Sequence, residues 1–69
     1  MFEIKIASVL DREKLVAEIW VDNVQIVEII QENDDIEIEF YNLQDQRLNF
    51  NEFMSALSLA YEKLKSPTN

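Results

Sequence analysis

Apolar and polar residues alternate with a period of two over the first forty or so positions and change to a helical period close to Asn49. The chain therefore divides into a strand-forming part and a helix-forming part. From Phe2 to Val9, Phe2, Ile4 and Ile6 fall on one side and Glu3 and Lys5 on the other, the pattern of a half-buried first strand. The polar run Asp11-Arg12-Glu13-Lys14 interrupts it. Leu15 to Val21, rich in β-branched and aromatic residues, predicts a second strand. Asp22-Asn23 follows as a turn. The chain has no glycine, so Asn23, whose short polar side chain tolerates the left-handed region, is best placed to take a positive φ there. Val24 to Ile30 predicts the third strand and Gln31 to Asp35 a loop. Ile36 to Tyr41 then alternates most cleanly of all, with Ile36, Ile38 and Phe40 opposed to Glu37, Glu39 and Tyr41.

The helical part opens with a capping signal. Asn49 and Glu52 stand at capping-box spacing, and Leu48 and Phe53 at the matching staple positions. Phe50, Phe53, Met54, Leu57, Tyr61 and Leu64 follow the i, i+3, i+4, i+7 rule and predict one apolar stripe, with Leu59 on the far side facing solvent. Lys63 and Lys65 suit the negative end of the helix dipole, and Pro67 ends the element.

These elements predict an α+β fold: a four-stranded antiparallel β-meander followed by one C-terminal amphipathic helix packed on one sheet face, in the order ββββα. The connections are long enough for hairpins and too short for the crossovers that parallel pairing requires. Residues 1–65 form the expected single domain and residues 66–69 a disordered tail. At 69 residues the chain holds one hydrophobic core, and a second would leave each too small to offset the entropy of ordering it.

One helix cannot cover both faces of such a sheet. A two-residue loop at Asp22-Asn23 puts Leu15, Ala17, Ile19 and Val21 on a face with Val24, Ile26 and Ile30, leaving Val16, Trp20, Val27 and Ile29 on the other. A three-residue loop changes the second set to Val16, Trp20, Val24, Ile26 and Ile30. Either register leaves Trp20 and several aliphatics on the uncovered side, with Glu18 beside them and Glu37, Glu39 and Tyr41 on the fourth strand. Large apolar areas on an open face mark interaction sites. The candidate partner-binding set is accordingly Glu18, Trp20, Val27, Ile29, Glu37, Glu39 and Tyr41.

Charge sharpens this expectation. The net charge is −8, and from Leu15 to Gln46 there are nine acids and no lysine or arginine. Such a segment repels phosphate and anionic lipid, which argues against direct nucleic-acid or membrane-surface binding, and it attracts a basic protein. Carboxylates beside aromatic rings suit arginine, which pairs with the first and stacks on the second. A hydrophobic fraction of 48% is enough to build a core despite the charge. No stretch approaches the roughly 20 apolar residues of a membrane span, and Met1-Phe2-Glu3-Ile4-Lys5 lacks the layout of a secretory signal, so cytoplasmic residence is expected.

The chemistry of catalysis finds little footing. Without cysteine or histidine there is no disulfide, thiolate zinc site, cysteine nucleophile or imidazole base, and the serines lack a partner to activate them. Without glycine there is no phosphate-cradling loop. Asn33, Asp35, Glu37 and Glu39 alternate like oxygen ligands but lack the glycine and terminal bidentate acid of a calcium loop. Glu37 and Glu39 share a strand face without a pocket to enclose a substrate, which reads as a solvated acidic surface. No cofactor, metal or small-molecule substrate is expected, and the chain is read as a non-enzyme. The first functional expectation is an acidic protein-binding module, of the inhibitor, immunity-protein or antitoxin kind, that occludes a basic surface on another protein. The second is an assembly protein that forms a homodimer through the open sheet face. The third is a nucleic-acid mimic that blocks a DNA-binding protein.

Overall fold

The computed structural model of the chain describes residues 1–8, 14–32 and 35–65, apart from the side chain of Glu32. Four strands, β1 (Phe2–Ala7), β2 (Val16–Val21), β3 (Val24–Glu32) and β4 (Asp35–Phe40), form one antiparallel sheet in the order β1-β2-β3-β4, and a helix α1 (Phe50–Lys65) follows. The α+β meander with a C-terminal helix is therefore the fold of the protein. The loop expected over Gln31 to Asp35 is shorter, because Glu32 and Asp35 pair as the last and first residues of β3 and β4. The polar run at 11–13 and the tail at 66–69 lie outside the described residues.

The β2–β3 hairpin explains most of what the sheet presents. Val21 pairs with Val24, so the loop has two residues, and both Asp22 (φ 51°) and Asn23 (φ 66°) take positive φ. This is the type I′ geometry whose twist matches that of the flanking strands, supplied here by two residues that tolerate the left-handed region. Trp20 then pairs with Gln25 while Ile19 pairs with Val27, leaving Ile26 as an extra residue in β3. That β-bulge shifts the alternation of β3 by one position. The two-residue register thus holds next to the turn, and the opposite parity holds from Val27 onward.

The consequence is a correction to the face assignment. Val27 and Ile29, placed by an unbulged two-residue register on the uncovered side, face the helix across from Ile19 and Ala17 and are buried. The helix-side core consists of Ala17, Ile19, Ile26, Val27 and Ile29 from the sheet with Ala56, Ala60 and Leu64 from α1, flanked by half-buried Phe2, Ile4, Ile6, Phe53 and Leu57.

The helix starts where the capping signal places it. Asn49 Oδ1 accepts the Glu52 N–H at 2.9 Å, and the Phe53 N–H donates to the Asn49 carbonyl at 2.9 Å. Its buried stripe is rotated from the expected one. Ala56 and Ala60 are buried and Phe53, Leu57 and Leu64 flank them, while Phe50 and Met54 are exposed. The small alanine side chains let α1 lie close to the sheet, and the larger residues wedge in beside that line of contact. Phe53 meets Phe2 with ring centroids 5.7 Å apart and planes at 57°. Leu59 faces outward as expected. α1 packs mainly against β1 and β2 and shares its core with Val27 and Ile29 of β3, so on the helix side it is β4 that is left open.

Candidate partner-binding surfaces

Strand alternation and cross-strand register together build a row of charges on the side of the sheet away from α1. Lys5 pairs with Glu18, Glu18 with Glu28, and Glu28 with Glu39, so one lysine and three carboxylates stand in line across β1 to β4. Residues directly opposite each other in antiparallel strands have Cβ atoms about 4.5–5.5 Å apart, and like charges at that separation oppose folding. Glu28, at the centre of the row, is nine-tenths buried.

Two aromatic residues flank the row. Trp20 Nε1–H donates to Glu18 Oε1 at 2.9 Å, and the Lys5 Nζ sits 4.1 Å from the centroid of the Trp20 ring. The indole is thus held by a carboxylate at its edge and covered by a cation on its face. On the other side, the Tyr41 hydroxyl donates to Glu39 Oε1 at 3.0 Å and approaches Glu28 Oε1 at 3.5 Å. The Tyr41 N–H donates to the Ile26 carbonyl at 2.8 Å, so the bulge that reverses β3 also fixes the start of the chain segment after β4.

Of the seven residues singled out from the sequence, Glu18, Trp20, Glu37, Glu39 and Tyr41 lie on this open side, with Glu37 opposite Ile30. Val27 and Ile29 do not, because the bulge turns them to the core. The aliphatics that remain on the open side, Val16 and Ile30, pair with each other and are buried, and Trp20 is half-buried. What this side exposes is therefore acidic and aromatic rather than broadly apolar, while its middle, at Val16, Glu28 and Ile30, is buried. Sequence reasoning missed Glu28 and Lys5. The signal for Glu28 was a carboxylate set into an otherwise apolar run, Ile26-Val27-Glu28-Ile29-Ile30, which an unbulged register sends to the wrong face.

Exposed apolar surface occurs instead on the helix side, at the edge of the sheet. Ile36, Ile38 and Phe40 alternate toward that side opposite Gln31, Ile29 and Val27, yet remain 41%, 43% and 56% exposed because α1 does not reach them. Between them and the helix runs an open groove lined by Ile29, Ile36, Ile38, Leu57, Ser58 and Tyr61. A wider groove on the opposite flank of α1 is bounded by Phe2, Ile4, Ser55 and Leu59 and contains one carboxylate, Glu52. Neither gathers the convergent polar groups that a small-molecule site uses to fix orientation.

Among the described residues no group of three or more acidic, cysteine or histidine side chains could hold a metal ion, and no helix is long and apolar enough to cross a membrane. Of the alternating set considered for calcium, Asn33 lies outside the described residues and Glu37 and Glu39 belong to the acidic side of β4. Comparison of the chain with protein-family models, curated proteins and solved structures gave no match.

Proposed function

We propose that the protein is a non-catalytic binding module that docks the basic surface of another protein on the open side of its sheet. The observation that carries this reading is the in-register row Glu18, Glu28 and Glu39 across three adjacent strands. Carboxylates so aligned offer a cationic group several acceptors in one line, and hydrogen bonds between ionised partners are the stronger kind. Trp20 and Tyr41 border the row, and aromatic rings are surfaces on which a guanidinium stacks. Lys5, already on the Trp20 face at 4.1 Å, illustrates the chemistry that face accepts. The surrounding base-free segment from Leu15 to Gln46 adds long-range attraction that steers a basic partner and weakens as salt screens it. An inhibitor, immunity or antitoxin role is the use such a surface suits.

The homodimer reading loses support on this face. With Val27 and Ile29 in the core, two-fold pairing of the open sides would set each acidic row against its own copy. The test of the favoured reading uses Trp20 emission during titration with a short oligo-arginine peptide at low and high salt. The expected result is a saturable change in emission, weakened by salt and by Glu18→Gln or Glu39→Gln. Binding that is indifferent to salt and to both substitutions overturns it.

A further inference from the structure

β4 is an edge of the sheet. Its one strand neighbour among the described residues is β3, and all six of its residues are exposed. In an antiparallel edge strand every second residue turns its N–H and C=O away from the sheet, and such a row pairs with another chain unless its side chains forbid it. The side chains of β4 forbid some partners and admit others. Ile36, Ile38 and Phe40 lie on the helix side, and Glu37 and Glu39 on the open side. A second copy of β4, added antiparallel about Ile38 so that faces match, would set Glu37 against Glu39 of the other copy and Glu39 against its Glu37. Both contacts join like charges directly opposite each other, which disfavours self-pairing.

From this charge pattern we propose that the β4 edge receives, by strand addition, an extended segment of another protein in which aliphatic residues alternate with lysine or arginine. The aliphatic side chains of that segment continue the row Ile36, Ile38 and Phe40 and close the groove against Leu57 and Tyr61. Its cations stand opposite Glu37 and Glu39. Main-chain hydrogen bonds supply affinity and the alternating side chains supply selectivity. The other edge, β1, presents Glu3 and Lys5 together and so does not select by charge. The inference rests on the basic-partner chemistry proposed above but on different atoms, the backbone and side chains of β4 rather than the Trp20 surface.

The test takes the isotopically labelled full chain and a synthetic peptide of alternating valine and lysine, with a valine–glutamate peptide as control. Amide exchange is read along residues 35–40. The valine–lysine peptide is expected to slow exchange at the outward amides of β4 by about tenfold or more at saturation, and the valine–glutamate peptide to leave them unchanged. A second arm needs no peptide: wild type is mixed with the E37K/E39K variant, which places lysines opposite both glutamates in the paired register. The mixture is expected to form heterodimers at least about tenfold more readily than either chain pairs with itself, as read by light scattering. Wild type that dimerises through β4 alone, equal binding of both peptides, or binding that shifts Leu57 and Tyr61 without protecting β4 amides overturns the proposal. If instead the β4 effects appear while oligo-arginine leaves Trp20 emission unchanged, the open-side reading fails and the edge reading stands.

Discussion

Glu28→Gln separates an acidic row kept for binding from one that holds the fold together. Glu28 is nine-tenths buried and stands directly between Glu18 and Glu39. Like charges directly opposite each other are destabilising on the scale of cross-strand pairs, about 0.2–1 kcal/mol each, so removing the central charge relieves up to two such pairs and, where that repulsion outweighs the carboxylate's own hydrogen bonds, stabilises the domain by up to about 2 kcal/mol. The substitution keeps the size of the side chain and an oxygen that can accept from the Tyr41 hydroxyl, 3.5 Å away in the wild type. For a domain of this size each kcal/mol moves the melting temperature by about 4–8 °C, a shift that thermal unfolding followed by far-ultraviolet circular dichroism resolves. The gain should shrink in high salt, because screening weakens the repulsion that the substitution removes. The same variant should bind oligo-arginine less tightly. Greater stability with weaker binding is what a surface tuned for a partner at some cost to folding predicts. If Glu28→Gln lowers stability by about 1 kcal/mol or more, the carboxylate anchors the sheet through its hydrogen bonds and the argument from repulsion fails.

Three further substitutions test the frame that holds the row. Ile19→Ala removes a fully buried side chain from beneath α1 and should cost about 2–5 kcal/mol, a large part of the roughly 3–10 kcal/mol available to a domain this small; urea unfolding that shows a cost below about 1 kcal/mol would displace Ile19 from the core. Asn23→Gly, at φ 66° in the β2–β3 turn, should raise the urea midpoint by the equivalent of a few tenths to about 1 kcal/mol, since glycine takes this conformation without steric cost, and a lowered midpoint would contradict the type I′ assignment. Ala60→Leu, at a fully buried contact between α1 and the sheet, should destabilise by about 1–3 kcal/mol through overpacking, whereas an unchanged or higher melting temperature would show that the close approach of the helix is not needed.

The fold was legible because its signals are periodic and local. Alternation in β1 and β4, the Asp22-Asn23 turn and the Asn49–Glu52 cap each report on a few neighbouring residues, and each matches the structure. The faces of β3 were not legible, because they depend on the bulge at Ile26. In a strand that is apolar at nearly every position, Val24-Gln25-Ile26-Val27-Glu28-Ile29-Ile30, an inserted residue leaves no break in the pattern. That one residue moved Val27 and Ile29 into the core and brought Glu28 into line with Glu18 and Glu39. The helix stripe was misaligned for another reason. Alanine carries a weak hydrophobic signal but packs closest, so Ala56 and Ala60 were passed over in favour of Phe50 and Met54.

The two surfaces arise from a single mismatch between sheet and helix. Strands are spaced about 4.8 Å apart and a helix with its side chains is about 10 Å wide, so one helix does not reach across all four strands. Placing α1 over β1 and β2 buries Ala17 and Ile19, with Phe2, Ile4 and Ile6 half-buried beside them, but leaves Ile36, Ile38 and Phe40 exposed at the far edge. An apolar edge of that kind on a small domain invites pairing between copies, and acids on the reverse side of the same strand oppose it. Glu37 and Glu39 would serve that purpose alone, without any help from β2 or β3. Glu18 and Glu28 lie away from the edge, where they protect nothing from self-pairing. Their alignment with Glu39 is the part of the acidic surface that edge protection leaves unexplained, and it is the part that a basic partner would use.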